Sequence, residues 1–262
     1  NVKHFLQELE ELKSAGIDTS LVKIARNCHI ITDDHLSEDR RDRKIGTTKR
    51  GTGPAYRNKY NRSGLTAKSV LTLEPYLVDL YEELHYSSDT KVLCEGAQGF
   101  GLDIDWGDYP YVTSSHCTAA SALLNGIPPS AVRHVWGVGK VYDTYVGTKN
   151  FQPDEEIFNE LRELGEEYGA TTGRPRQCNW LDLSALIKSI QINGATHIVL
   201  NKADVLDALG VWKLKYSKEL KVFSSQREMC DYIIDSIQNN AGVDPVEIVF
   251  SGDKHSIESY AG

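Results

Sequence analysis

His197-Ile198-Val199-Leu200, followed at once by Asn201-Lys202-Ala203-Asp204, is the stretch whose reading decides the fold. The apolar run has no polar face, which suits a strand covered on both sides, and such strands are typical of parallel sheets flanked by helices. Working outward, residues 226–238 read as a helix and 246–250 as a further strand. Upstream, 157–168 and 180–190 read as helices, the second with Asp182 near its N-terminus as a cap. Residues 135–145 look extended, 91–94 form a short strand, and 71–85 carry helical periodicity. Near the start, 22–25 and 29–31 are strand-like, and 1–15 form an amphipathic helix with Phe5, Leu6, Leu9 and Leu12 on one face. Helices alternating with buried strands predict an α/β fold with a mainly parallel central sheet flanked by helices. With no repeat, low-complexity tract or linker, residues 1–262 are expected to form a single α/β domain.

Composition narrows the function classes. A net charge of -8 argues against a protein that coats nucleic acid, which needs a basic footprint to neutralise phosphates. No run approaches the roughly 18 apolar residues of a membrane span, so no membrane partner is expected. The cysteines (Cys28, Cys94, Cys117, Cys178, Cys230) are scattered without a C-x-x-C pair or finger spacing, which fits a reducing, cytoplasmic setting. No charged-then-apolar leader opens the chain; a helix at its first residues suggests that it begins in mid-fold.

Several segments carry chemistry. Asn201-Lys202-Ala203-Asp204 matches the N/T-K-x-D pattern that reads guanine: the carboxylate accepts from the ring N–H and the exocyclic amine, while the lysine stem covers the base face. Read alone, the same residues also suit a charged strand end with a helix cap. No G-x-x-x-x-G-K-[ST] phosphate loop is present, and Gly137-Val138-Gly139-Lys140 runs on into Val141 as a strand would. Gly169-Ala170-Thr171-Thr172-Gly173-Arg174-Pro175-Arg176 sets hydroxyls beside guanidinium forks, a pocket for carboxylates or else a surface turn. Residues 46–64, with glycines, a Gly-Pro pair and a cluster of Lys49, Arg50, Arg57, Lys59 and Arg62, suit neither a regular helix nor a central strand. With Thr47, Thr48 and backbone amides, that cluster can bind a phosphate. The charge run 33–44 reads as a solvated helix or loop.

The block from Glu95 to Ser115, rich in glycine, amide, carboxylate and hydroxyl groups, is a ligand-facing loop at a strand end. Its glycines Gly96, Gly99 and Gly101 allow close approach of backbone to ligand. Asp103 and Asp105 are candidates for a metal or acid–base pair on first inspection. The histidines form no H-x-x-x-H or H-E-x-x-H arrangement, His116 reads as structural, and no G-x-S-x-G elbow exists.

Taken in order, IGTTKRGTGPAY (45–56), EGAQGFGLDIDWGDYPYVTSS (95–115), EYGATTGRPR with NWLDL (167–176 and 179–183) and NKADVLD (201–207) resemble the adenylosuccinate synthetase family. The resemblance implies a P-loop-NTPase-like synthetase fold, N-terminally incomplete here, and a ligase joining L-aspartate to C6 of a 6-oxopurine nucleotide. GTP would phosphorylate O6, and the aspartate amine would then displace phosphate. By motif, Thr48, Gln98, Thr113 and Arg174 would hold the purine nucleotide, with Arg62 reaching the ligand phosphate of a neighbouring subunit. Thr172, Arg174 and Arg176 would grip the aspartate carboxylates. Lys202 and Asp204, helped by Ser251 and Gly252, would read the base of the nucleoside triphosphate. Asp103 and Asp105 are thereby demoted, and the family works as a homodimer with magnesium.

Departures from the family shape further expectations. Its phosphate loop G-D-E-G-K-G-K, catalytic aspartate and downstream histidine have no counterpart in this sequence. Catalytic residues and magnesium ligands are therefore expected outside it, and a protein starting at Asn1 is expected to be inactive. The family's G-A-G-P-F-P is replaced by Gly147-Thr148-Lys149-Asn150-Phe151-Gln152, and Phe250 and Asp253 stand for a serine and a proline. The region between Leu65 and Lys91 is short, as in archaeal and phage forms, the latter using dGMP. IMP with GTP is thus the default pair, with dGMP the alternative acceptor and another nucleoside triphosphate the alternative donor. From a different class, a non-catalytic guanine-nucleotide-binding module would bind nucleotide without aspartate dependence.

Overall fold

A computed structural model describes residues 1–85, 90–170, 173–242, 247–253 and 256–258. The chain divides into two compact units, Asn1–Pro129 and Ser130–Gly262.

The second unit holds the sheet that the sequence announces. Strand β6 (His197–Asn201) lies between β3 (Trp136–Lys140) and β9 (Glu247–Asp253), parallel to both, and β10 (Ser256–Glu258) adds an antiparallel edge. Alternation along β6 sends Ile198 and Leu200 into a fully dry layer while Val199 is half-buried on the other face. At the opposite edge, β3 exposes Trp136 (56%) and Val138 (70%). A single residue, Val141, separates β3 from β4 (Tyr142–Tyr145), which opens a second sheet with β5 (Gln177–Asp182), β7 (Trp212–Tyr216) and β8 (Glu219–Phe223). That sheet is mixed: only β5 and β7 pair in parallel.

Helices cover these sheets and bury one continuous core. Helix α6 (Ile157–Leu164) lies against β5 and α8 (Ala203–Leu209), α7 (Leu183–Asn193) against β7, and α9 (Gln226–Asn240) against β7 and β8. Phe158, Leu161, Leu183, Leu206, Leu214, Ile233 and Ile237 are all fully buried in that core. Asp182 caps α7 by accepting from the Ala185 amide, and Gly194, with φ 60°, ends it in the left-handed conformation that glycine adopts without strain. Ser225 caps α9 in the same way through the Glu228 amide.

In the first unit, α1 (Val2–Ser14) turns Val2 and Phe5 toward a small core of Ile30, Ala67 and Leu73. The strand-like segments 22–25 and 29–31 reduce to a two-residue pairing of β1 (Ile24–Ala25) with β2 (Leu77–Val78) and a bridge from His29 to Thr66.

Residues 46–64 do contain a helix, α3 (Thr52–Tyr60): Pro54 sits in its first turn, where its missing N–H costs no bond, and Gly51 precedes it with φ 78°. The run 33–44 is only partly solvated, since α2 (Asp33–Asp39) buries His35 and Asp39, the latter accepting from Thr47 Oγ1 and the Gly51 amide. Residues 71–85 are not one helix. Pro75 lies in a 3-10 turn, Leu71–Tyr76, followed by β2 and α4 (Leu80–His85). Residues 91–94 make no strand: among the described residues no neighbour supplies a ladder, and Leu93 is 92% exposed. Trp180 and Leu181 belong to β5, fixed by pairing of Trp180 with Tyr142, so α7 starts later than periodicity suggested. Helix α6 likewise stops at Leu164, ahead of the predicted 168.

Candidate functional site

The polar groups of the second unit gather at the carboxyl ends of parallel strands, where open α/β sheets place their ligands. Lys140 ends β3 opposite Asn201, and Leu200 pairs with Phe250 one step before Ser251 and Gly252. Lys202 takes φ 70° to turn the chain from β6 into α8, which leaves Asp204 exposed in the first turn of that helix. Lys202, Asp204, Ser251 and Gly252 thus come from the ends of two adjacent strands. Phe250, where the family has serine, is fully buried between Leu200 and the helices, so it packs the core and does not line the strand-end surface.

Beneath this surface a buried carboxylate collects donors. Glu167, 2% exposed, accepts from Lys140 Nζ on both oxygens (2.7 Å each), from the Tyr142 hydroxyl (2.7 Å) and from Arg176 (3.0 Å). Burial alone would raise its pKa, but the bonds from Lys140 and Tyr142 and the Arg176 charge outweigh this and hold it below the usual carboxylate range. Burial pulls the Lys140 ammonium down and pushes the Tyr142 hydroxyl up. Lys202 Nζ donates to the Gly165 carbonyl at 2.9 Å, at the C-terminus of α6, where the helix dipole favours a cation.

The loop after α6 is closed at its base. The Arg176 amide donates to the Glu167 carbonyl (2.9 Å), the Gly169 amide to Arg174 (2.9 Å) and the Gly173 amide to Gly169 (2.7 Å). Arg174 and Arg176 therefore leave a hydrogen-bonded turn, whereas Thr172, also expected to serve this loop, lies outside the described residues. At the start of β5, the Gln177 side chain pins residues 147–152: its Oε1 accepts from the Phe151 and Gln152 backbone amides, and its Nε2 donates to the Gly147 and Lys149 carbonyls. Sequence reasoning set Lys140 aside as a failed phosphate loop and passed over Tyr142 and Glu167. The only signal was a glutamate opening a recognised motif.

Thr48, Arg62, Gln98 and Thr113 all fall in the first unit. Thr48 and Arg62 are exposed on either side of α3, Arg62 with φ 62°, and Gln98 is exposed with φ 70°. A Cβ on Gly53 would come within 3.4 Å of Ser114 Oγ, so the start of α3 adjoins the segment carrying Thr113. That segment is held by Asp103, fully buried, which accepts from the amides of Asp105 (2.9 Å), Trp106 (3.1 Å) and Cys117 (2.5 Å). Burial opposes its ionisation, yet these amides hold its pKa below the ordinary value. The Thr113 amide closes on the Leu102 carbonyl at 2.8 Å. Gly107 lets backbone approach backbone here, since a Cβ on it would stand 2.6 Å from two carbonyl oxygens, while Gly96, Gly99 and Gly101 have open space around them.

Asp103, Asp105 and His116 bring ligand atoms within 4.8 Å of one another. Amides already occupy both oxygens of Asp103, and a histidine nitrogen is foreign to the all-oxygen octahedron of magnesium, so this cluster does not fit that ion.

Parallel strands flanked by helices, with polar turns at the strand ends, place the chain in the α/β class. The family model for adenylosuccinate synthetase matches residues 1–74 and 68–261, and the chain belongs to that family. It is 37% identical over 278 residues to the adenylosuccinate synthetase of Salinibacter ruber, covering 84% of this chain and 63% of that protein. The fold matches the fully ligated adenylosuccinate synthetase from Plasmodium falciparum with a TM-score of 0.78 at 26% identity, covering 94% of this chain and 80% of that one. A cyanophage S-2L succinoaminodeoxyadenylate synthetase shares the fold at a TM-score of 0.65 and 20% identity, over 90% of this chain and 67% of that one. The chain spans about six-tenths of the length of the curated relatives it matches. Among the described residues no helix is long and apolar enough to cross a membrane.

Proposed function

We propose that the protein is a purine-nucleotide:aspartate ligase. The γ-phosphoryl group of GTP passes to O6 of IMP; the aspartate amine then attacks C6, and the 6-phosphoryl group leaves as phosphate with a new carbon–nitrogen bond in its place. The observation that carries this reading is the pairing, at neighbouring strand ends, of an Asn-Lys-Ala-Asp turn with Ser251 and Gly252, joined through α6 to the arginine loop. In it Asp204 accepts from the guanine edge, Lys202 lays its stem on the base, and Ser251 and Gly252 complete the contact. Thr172, Arg174 and Arg176 take the carboxylates of aspartate, whose fork geometry guanidinium matches. Thr48, Gln98, Thr113 and Arg174 hold the acceptor nucleotide, and Arg62 reaches toward the ligand of a second subunit in a homodimer. The two units serve one synthetase domain, working in the cytoplasm. Magnesium, which the family likeness implies, does not fit the Asp103, Asp105 and His116 cluster.

The test is product formation by the intact protein from IMP, GTP and L-aspartate, followed by mass spectrometry, with each substrate omitted in turn and dGMP offered in place of IMP. Succinylated nucleotide that requires all three substrates supports the reading. Nucleotide binding indifferent to aspartate would return the protein to a guanine-nucleotide module. The relative bound to dGMP and dATP makes turnover of dGMP the informative second arm.

A further inference from the structure

We infer that Glu167 is a positioning residue that presents Arg176 to the aspartate substrate; this rests on the ligase reading above. The two residues are joined twice, by the Arg176 amide on the Glu167 carbonyl (2.9 Å) and by the Arg176 guanidinium on the carboxylate (3.0 Å). Arg176 keeps 30% of its side chain exposed, whereas Glu167 keeps 2%. The carboxylate therefore cannot meet a ligand itself, but it holds one nitrogen of the fork while part of the arginine side chain stays exposed. Lys140 occupies both carboxylate oxygens from below and Tyr142 one of them, so Glu167 has a fixed orientation before any ligand arrives. The Arg162 guanidinium, bonded to the Arg176 carbonyl at 2.6 Å, fixes the backbone on the other side. An arginine held this way loses little side-chain freedom on gripping a carboxylate, which is how preorganisation raises affinity. A second consequence concerns charge. Lys140, Arg176 and Lys202 lie close together, and the buried anion offsets the repulsion among these cations.

The experiment measures L-aspartate affinity by calorimetry with IMP and GTP present, in wild type, Glu167→Gln, Arg176→Ala and the double variant. Absence of an aspartate response in wild type would sink the ligase reading itself, irrespective of Glu167. Given a wild-type response, Glu167→Gln should weaken aspartate about tenfold, leave GTP affinity within about twofold, and add nothing in the Arg176→Ala background. Additive losses in that double variant would overturn the inference. So would loss of cooperative unfolding by Glu167→Gln while Arg176→Ala still folds, which would make the role one of folding alone. Tyr142→Phe removes one bond to the same carboxylate and keeps both ion pairs, so it should weaken aspartate less than Glu167→Gln does; an equal or larger loss would also overturn it.

Discussion

The ammonium of Lys202 is bonded to the carbonyl oxygen of Gly165 at 2.9 Å, so the lysine that follows β6 spends its charge on the end of α6. Its aliphatic stem is what remains for a ligand.

That division gives a first prediction. Lys202→Ala removes both stem and anchor and should weaken GTP binding by roughly tenfold, whereas Lys202→Met keeps the stem and should lose only about two- to threefold. Calorimetric titration of GTP into the intact protein separates the two; equal losses would show that the charge, not the stem, contacts the nucleotide.

Asp204 stands exposed in the first turn of α8, with its carboxylate open to a partner. Asp204→Asn replaces an acceptor with a donor and should reduce preference for GTP over ATP by roughly 10- to 100-fold, the discrimination of one bidentate pair. Competition binding of the two nucleotides checks this, and an unchanged ratio would place base recognition elsewhere.

Asp103→Ala should destabilise the protein by about 3 kcal/mol, because three backbone amides lose a charged acceptor. Since the folded-state pKa of Asp103 is depressed below 3.8, its contribution is present above the unfolded value and is lost as pH falls through the folded one. Urea unfolding between pH 2 and 7 should therefore show a flatter acid limb in the variant than in wild type.

Asp143 behaves in the opposite sense. Burial, together with the nearby Asp182 charge, pushes its carboxyl up to about 6 from 3.8, although the Asp182 amide bonds to it. Its favourable contribution is complete below the unfolded pKa and lost as pH rises through about 6. Asp143→Asn should accordingly gain stability relative to wild type as pH rises from about 4 through about 6 and keep that gain above it, and curves that stay parallel across that window would refute the assignment.

What sequence reasoning captured follows from what periodicity and spacing encode. The β6 strand, the cap at Asp182, α1 and α9 are local patterns, and the structure places them as read. The β7–β8 hairpin escaped because its turn residues, Ser217 and Lys218, both adopt positive φ without the glycine or asparagine that usually signals such a turn. The strand character of Trp180 depends on a partner far away in sequence, Tyr142. Helix α3 escaped because Gly-Pro reads as a breaker, yet at a helix start it breaks nothing. At the candidate site, Lys202, Asp204 and the arginine loop were legible as motifs. Glu167 was not, because its importance lies in the donors converging on it from β3, β4 and the turn before β5, and no spacing in the sequence records that convergence.

The joint at Val141 gives the second unit a constraint of length. Lys140 and Tyr142 reach the same carboxylate because they stand two residues apart on either side of that single buried residue. An extra residue there would turn one of the two away from Glu167, however well its chemistry matched. Loops elsewhere in this unit can lengthen over time at little cost. At this crossing the spacing itself is fixed by geometry, and changing it would mean rebuilding the floor around Glu167 from other side chains.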